Sequence, residues 1–302
     1  MIVDAHGHYN TQEAFIEHAS KWVKYEWEKR RYDGMVQTWK RFEEMTTVES
    51  WIESLNRYGV DKVLLQTAPW GSSDAVAKFI RESPEERFVG LANIDFTAPY
   101  ISDSVKELER CVKELGLKGI GELYPHIGPW DPGDEKIFPI YAKAEELGVP
   151  IMIHLCTEGG PVFNDQRYSD PYLIDPVLRA FPDLNVIICH MAGDRVGALF
   201  TLMHARPNLH AELNGVVTPW FGLYDSVISP QHIMKKFLER GFATRLLWST
   251  DVQAPYNSDF EKNKVRGHIK DNHVVKLLEE IGASEEDKAN ILGNNAARLF
   301  KL

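Results

Sequence analysis

Two histidines separated by one glycine stand near the start of the chain, in Asp4-Ala5-His6-Gly7-His8. If this segment ends a β-strand, His6 and His8 point to the same side, because side chains two positions apart share a face. Two imidazoles placed in this way can hold one divalent metal ion. Taken alone, the motif is equally compatible with a core histidine or with a pair of loop residues.

Other potential metal ligands follow further short apolar runs. His154 lies at the end of the run over residues 150–155, His190 directly follows residues 185–189, and Asp251 directly follows residues 245–250. Histidine accounts for only 11 of 302 residues, so this repeated placement at strand ends would be a large coincidence. We therefore predict that these side chains converge with His6 and His8 on one metal site.

Three more residues could act near that site, and one further histidine fits the core better. Glu122 ends the run over residues 118–123, where its carboxylate could ligate the metal, face the substrate or occupy the rim. His126 lies just beyond it and is a candidate substrate contact. Asp4 shares the parity of His6 and His8, which predicts a deeper position from which it orients a histidine or bonds to backbone. His210 lies within an apolar run, which is typical of a buried core histidine.

The runs that precede these residues alternate with helical patterns. A parallel sheet is expected from alternating strands and helices, and eight strands in this order favour a closed (β/α)8 TIM barrel over a doubly wound sheet. In such a barrel the strand ends meet at one catalytic face. The predicted strands are 2–5, 62–67, 88–95, 118–123, 150–155, 185–189, 209–213 and 245–250. The predicted helices are 48–57, 73–81, 102–115, 134–147, 195–204 and 231–240.

Two connections are longer than this rhythm requires. Residues 9–47 and 252–272 each leave the carboxyl end of a strand, so both should overhang the catalytic face. The first is rich in tryptophan, tyrosine and basic residues, and within it Arg30 or Arg31 could pair with an acidic substrate. The alternative for this insertion is an amphipathic helix that packs over the barrel or against a second subunit, which would make a homodimer. We interpret residues 1–302 as one domain carrying this extended first loop.

Bulk properties exclude several classes of protein. The formal charge of −10 argues against a general nucleic-acid or anionic-membrane binder. No apolar run approaches the roughly 20 residues of a membrane span, and no signal peptide is evident. The cysteines at positions 111, 156 and 189 cannot all pair within the chain, which favours a reduced, cytoplasmic protein.

Taken together, these motifs resemble the amidohydrolase superfamily nearly end to end. The matching pieces are 4–8, 153–154, 189–193, 249–251 and a closing helix over 291–300. The chain is most similar to the amidohydrolase-related branch, which contains metal-dependent hydrolases and nonoxidative decarboxylases of aromatic or unsaturated carboxylic acids.

The resemblance implies His6, His8, His154 and Asp251 as ligands of one divalent metal ion, with His190 as a catalytic residue. Many superfamily members carry a carboxylated lysine that bridges two metals at the end of strand four. Glu122 occupies that position here, which implies one metal rather than two and leaves a Glu-bridged pair as the alternative. Three imidazoles and a carboxylate suit Zn²⁺, and Mn²⁺, Fe²⁺ or Co²⁺ would fit the same ligands.

Two reactions are compatible with this set. The first hypothesis is hydrolysis of a small molecule by metal-activated water, with Asp251 as general base and acid and His190 polarising the carbonyl. The alternative is nonoxidative decarboxylation of a carboxylic acid, with Asp251 or His190 protonating carbon. The branch's decarboxylases carry His-Pro after strand five, whereas this chain has His154-Leu155, so their activity does not transfer directly. A third and weaker hypothesis is an inactive metal-binding scaffold.

Overall fold

The fold is described from a computed structural model, which covers residues 1–20, 23, 25–67, 69–157, 165–214, 229–256 and 268–302. Most of the second long connection, predicted over 252–272, lies outside these residues, as do positions 21, 22 and 24 of the first. All strand pairs described are parallel. The strands are β1 Val3–His8, β2 Lys62–Gln66, β3 Phe88–Gly90, β4 Ile120–Leu123, β5 Ile151–Ile153, β6 Val186–Ile188, β7 Leu209–Glu212 and β8 Leu246–Leu247.

Hydrogen bonds across two seams join these strands into a (β/α)8 barrel. Regular pairing gives a three-stranded sheet, β1-β2-β3, and a five-stranded sheet, β4 to β8 in sequence order. At the first seam the amide of Ala92 donates to the carbonyl of Gly119 over 2.8 Å. At the second, the amide of Ala5 donates to the carbonyl of Trp248 over 3.1 Å and that of His8 to Val252 over 2.7 Å. The predicted fold class is confirmed.

Helices alternate with the strands and cover the outside of the barrel. The helices are α1 Gln12–Ala19, α2 Glu26–Met45, α3 Val48–Tyr58, α4 Ser73–Glu82, α5 Ile101–Lys113, α6 Phe138–Leu147, α7 Asp175–Ala180, α8 Val196–Ala205, α9 Pro230–Glu239, α10 His273–Glu280, α11 Glu285–Ala289 and α12 Asn295–Phe300. Each of the six predicted helices corresponds to one of these within a few residues. The strand predictions were mostly too long, whereas β1 extends beyond its predicted end and includes both His6 and His8.

Local sequence fixes the ends of these elements, as helix α3 illustrates. At the start of this helix, the Thr47 side chain accepts a hydrogen bond from the backbone amide of Ser50. Gly59 ends it with φ of 73°, a left-handed conformation that glycine adopts without steric cost. Trp51 and Leu55 are fully buried on its inner face, so the helix is held against the barrel mainly by apolar packing.

The barrel has an apolar interior at its amino-terminal end. Helix α12 closes this end, and Leu299 and Phe300 pack with inward-facing residues such as Val3 and Met152. Gly293, just before α12, lies close to the first residue of the chain. A Cβ added at Gly293 would be 2.1 Å from the carbonyl oxygen of Met1, so only glycine fits there. The opposite end is therefore the one left open for chemistry.

Helices α1 and α2 cover part of the carboxyl-terminal face. Phe15 of α1 and Trp39 and Phe42 of α2 form a buried cluster with Trp70 and Ile127. The last two residues follow β2 and β4, so the cluster lies over the ends of these strands. The long first connection is thus an amphipathic helical layer packed over the barrel, which is one of the alternatives raised for residues 9–47.

Within the described residues, no helix is both long enough and apolar enough to cross a membrane.

Candidate metal centre

An irregularity in β1 directs both histidines of the first motif into the barrel. Asp4 pairs with Val63 and Gly7 with Leu65, so β1 carries one more residue than β2 over this stretch. Such a bulge reverses the side-chain alternation beyond it. His6 and His8 are both buried and their Nε2 atoms lie 3.1 Å apart.

The same bulge decides between the two roles predicted for Asp4, because it turns Asp4 away from the inward face of His6 and leaves it bonded to backbone. Its carboxylate accepts hydrogen bonds from the hydroxyl of Tyr256 at 2.6 Å and from the amide of Thr250 at 3.0 Å. It contacts His6 only through the backbone amide, at 3.1 Å. Tyr256 belongs to the outer layer, where it packs against Trp51. Asp4 therefore fixes the backbone of β1 and of the segment after β8, and does not orient an imidazole.

A second irregularity, in β4, places Glu122 at the centre of the site. Ile120 pairs with Ile151 and Leu123 with Ile153, so β4 also carries an extra residue. Ile120 and Leu123 pack in the outer core, whereas the Glu122 side chain is fully buried among the site histidines. A bulge beside an active site commonly re-aims a side chain in this way.

The remaining predicted residues leave their strands in the segments just beyond them. His154 directly follows β5, and His190 lies two residues after β6. His190 and Asp251 both have left-handed backbones, with φ of 57° and 56°. This conformation costs a residue with a side chain about 1–3 kcal/mol and is concentrated at functional sites. Tertiary contacts thus hold two of the predicted residues in conformations that local sequence disfavours.

One group of donor atoms gathers around His6 and His8. The Nε2 atom of His8 lies 3.1 Å from Oδ1 of Asp251. The Nε2 atom of His6 lies 3.0 Å from Oε2 of Glu122 and 3.7 Å from Oδ1 of Asp251. Bonds of about 2.1 Å to a tetrahedral ion separate neighbouring donor atoms by about 3.4 Å. The spacing and chemistry of this group therefore fit a divalent metal ion.

A second group of atoms surrounds the other oxygen of Glu122. Oε1 lies 2.9 Å from Nδ1 of His154 and 3.0 Å from Nε2 of His190. These two ring nitrogens are 3.0 Å apart. His154, predicted to be a metal ligand, thus contacts the other carboxylate oxygen of Glu122 from the one that faces His6. Glu122 contacts all four histidines predicted for the metal centre and its catalysis, which are His6, His8, His154 and His190.

Charge complementarity within the cluster is strong. Burial by itself would raise the pKa of the Glu122 carboxyl, but the charges of His6, His190 and His154 outweigh it and hold that pKa well below its ordinary value. Burial likewise opposes protonation of His6, and Glu122 and Glu212 overcome it, which raises the pKa of His6 to about 10. Buried carboxylates surrounded by imidazoles form a site that attracts cations.

Sequence reasoning missed three residues of this site. Glu212 ends β7, is fully buried, and lies 3.1 Å from Nδ1 of His190. The Tyr124 hydroxyl donates to Oε2 of Glu122, and Sγ of Cys156 lies 3.0 Å from Nε2 of His154. Glu212 carried a usable signal, because it is an acid at a strand end like Glu122. Tyr124 and Cys156 become apparent only from the conformation of the loops that follow the strands.

The predicted substrate contacts occupy different places. The His126 ring is buried with its centroid 4.9 Å from that of His154, so it lies beside the cluster. Arg30 and Arg31 lie on exposed positions of α2, and neither forms an ion pair with a described residue. A cavity of about 320 Å³ opens beside the cluster, lined in part by Tyr124, Phe96 and Trp130.

Comparisons with known proteins agree with this architecture. The chain is 26% identical over 288 residues to 2-amino-3-carboxymuconate-6-semialdehyde decarboxylase from Dictyostelium discoideum, covering 83% of this chain and 76% of the relative. It superposes with a TM-score of 0.69 on 5-carboxyvanillate decarboxylase from Sphingomonas paucimobilis, at 16% identity and covering 100% and 99% of the two chains.

A second solved structure is dihydroxybenzoic acid decarboxylase from Polaromonas sp. JS666, with bound manganese and the inhibitor 2-nitroresorcinol. It matches with a TM-score of 0.65 and 18% identity, covering 100% of this chain and 97% of that one. The family model described as Amidohydrolase matches residues 3–302. The chain therefore belongs to the amidohydrolase family of (β/α)8-barrel enzymes.

Proposed function

We propose that the protein is a divalent-metal-dependent decarboxylase of a small carboxylic acid. The carrying observation is the convergence of His6, His8 and Asp251 with Glu122 at the mouth of the barrel. The relatives named above as decarboxylases support this reaction over hydrolysis, which the sequence alone placed first. Hydrolysis by the same residues is the competing outcome of the test below.

The metal would be held by His6, His8 and Asp251, with Glu122 in contact with the same group. His154, which contacts the other oxygen of Glu122, remains the proposed fourth ligand. Imidazole and carboxylate donors suit Zn²⁺ or Mn²⁺, and manganese is the ion named for the Polaromonas relative. When bound, the ion supplies a Lewis acid for the oxygen atoms of the substrate.

Asp251 and His190 are the proposed catalytic residues. Asp251 is 31% exposed, whereas the side chains of His6 and Glu122 are fully buried, so Asp251 faces the open side of the group. In the reaction, the bond between the substrate carbon and its carboxylate breaks, and carbon dioxide leaves. The electron pair stays on that carbon, which takes a proton from Asp251 or His190.

Substrate binding would use the surroundings of the cluster. His126, beside His154, is a proposed substrate contact, and the Phe96 and Trp130 rings, stacked 4.8 Å apart, offer an apolar wall to a planar acid. Arg30 and Arg31 remain proposed partners of the substrate carboxylate. Because both side chains are exposed on α2, they would contact the substrate carboxylate only if the substrate extends to this helix or the helix moves towards the substrate.

A reaction panel with metal-loaded protein tests the proposal. Hydroxybenzoate-type acids are offered to protein loaded with Zn²⁺ or Mn²⁺, and release of carbon dioxide is measured beside hydrolysis of esters and lactones. We expect carbon dioxide release that the metal-free protein and the Asp251→Asn variant both lack. Turnover of esters or lactones with no carbon dioxide from any acid would overturn decarboxylation in favour of hydrolysis.

A further inference from the structure

Glu212 is a buried carboxylate that the proposed reaction does not use. It ends β7, and its side chain is fully excluded from solvent. Burying an acid is costly unless the carboxylate is compensated by hydrogen-bond donors or charges. Its contacts therefore indicate what it does.

These contacts join three parts of the barrel. Oε1 of Glu212 accepts from the backbone amide of His190 and lies 3.1 Å from its Nδ1 atom. The same oxygen lies 3.6 Å from Nδ1 of His6. Oε2 accepts from the hydroxyl of Ser249, two residues before Asp251. Glu212 thus contacts the segment after β6, strand β1 and the segment after β8.

Carboxylates face both nitrogens of the His190 ring. An ionised carboxylate accepts hydrogen bonds, so each one holds the nitrogen on its own side of the ring. Nδ1 of His190 faces Glu212, and Oδ1 of Asn214 lies 2.5 Å from the same nitrogen. Nε2 of His190 then points into the cluster, 3.0 Å from Oε1 of Glu122.

His6 is placed in a related way. Its Nε2 atom faces His8 and Glu122, and its Nδ1 atom faces Glu212. That Nδ1 atom is buried and has no hydrogen-bond partner among the residues that the structure describes. Glu212 is the acceptor towards which this nitrogen is directed.

We propose that Glu212 is a positioning residue that faces the Nδ1 atoms of His6 and His190, holds both rings in place, and so directs both Nε2 atoms towards the metal centre. This inference rests on the proposed function only in assigning His6 and His190 to a working metal centre. Groups that hold the second nitrogen of a metal-binding histidine fix its ring and its tautomer, and their loss weakens metal binding by about 10–100-fold.

Two variants of Glu212 separate this role from a structural one. Glu212→Gln keeps the size and an acceptor oxygen, and its amide can donate to Ser249. Glu212→Leu fills a similar volume but accepts nothing. Ser249→Ala is the matched control, because it removes a hydrogen bond to the same carboxylate and none to an imidazole.

The first measurement is the affinity for Zn²⁺ and Mn²⁺, by competition with a chelator. We expect the Leu variant to bind about 10–100-fold more weakly than the wild type. The Gln variant should lose less than the Leu variant, and the Ser249→Ala protein should bind as the wild type does.

The second measurement is the ¹⁵N spectrum of histidine-labelled protein, metal-free and zinc-loaded, with the His190 signals assigned by their loss in His190→Gln. We expect the Nδ1 signal of His190 to shift most in Glu212→Leu, which removes every acceptor that Glu212 offers to this nitrogen, and less in Glu212→Gln. Equal metal affinities and identical histidine spectra in all folded variants would overturn the proposal, even if thermal unfolding showed Glu212→Leu to be less stable.

These readouts need no substrate, so they stand apart from the decarboxylase assignment. If no acid releases carbon dioxide but the Leu variant shows the expected changes, the proposed reaction fails and the role of Glu212 holds. If carbon dioxide is released at the wild-type rate by Glu212→Leu with unchanged spectra, the role of Glu212 fails and the reaction holds.

Discussion

Buried histidines at the two ends of this barrel have opposite surroundings. At the carboxyl-terminal end, His6 lies among carboxylates, 3.0 Å from Glu122 and 3.6 Å from Glu212. At the amino-terminal end, His210 lies near the start of β7, with Nε2 3.0 Å from the amide oxygen of Asn185. Both side chains are almost completely buried.

The difference shows that neighbouring charges decide whether the effect of burial on the pKa of these rings is reversed. Burial lowers the pKa of both histidines. Around His6, Glu122 and Glu212 outweigh this and raise the pKa to about 10. Around His210 burial is the main cause and the charges of Arg245 and Arg298 add to it, so the pKa falls to about 3. One end of the barrel is therefore suited to binding a cation, and the other to apolar packing.

The largest expected effect comes from the carboxylate that connects the cluster. Glu122→Gln keeps the size of the side chain and removes the charge shared by His6, His154 and His190. We expect metal content to fall and turnover to drop by at least about 100-fold, since a charged group beside a metal and its substrate contributes at least as much as one transition-state hydrogen bond. Elemental analysis and the carbon dioxide assay measure both quantities. Wild-type metal content and turnover in the Glu122→Gln protein would show that the charge of Glu122 is not needed at the site.

An intermediate effect, on stability alone, is expected at the opposite end. Phe300→Ala empties part of the apolar closure formed by α12, and we expect a loss of about 3–5 kcal/mol in the free energy of unfolding. Metal content of the folded protein should be unchanged. Denaturant unfolding measures this loss, and Tyr172→Ala is the control. The Tyr172 side chain is 51% exposed, so its removal should lower the free energy of unfolding by at most about 0.5 kcal/mol. A metal-deficient but equally stable Phe300→Ala protein would contradict the division between the two ends.

The smallest effect concerns pH. His210 has a pKa near 3 when folded and near 6.5 when unfolded, so between these values the unfolded chain binds the extra proton. Stability should therefore fall as pH drops through 6.5, by about 1.4 kcal/mol between pH 7.5 and pH 5.5 from this residue. Unfolding free energies at the two pH values should differ less in His210→Gln than in the wild type. An identical difference in both proteins would show that His210 is not held neutral by the fold.

Much of the architecture and part of the site could be predicted from the order of residues. The alternation of apolar runs and helical patterns gave eight strands in the correct order, because buried strands and amphipathic helices differ in the period of their apolar residues. Parallel strands bring their carboxyl ends together, which explains why His6, His154 and Asp251 could be grouped before any contact was known. The rule that side chains two positions apart share a face grouped His6 with His8 correctly. The same rule misplaced Asp4, because it assumes a strand without a bulge.

The sequence by itself determined the barrel, the open end where chemistry occurs, and the residue types gathered there, because these depend on periodicity and on chain direction. Only the tertiary structure decided that Glu122 turns inward, that His154 and His6 contact different oxygens of it, and that Glu212 contacts both His6 and His190. Those facts depend on an extra residue in β1 and another in β4, and on left-handed backbone at His190 and Asp251. Such local departures are stabilised by contacts between distant segments, so no short stretch of sequence encodes them.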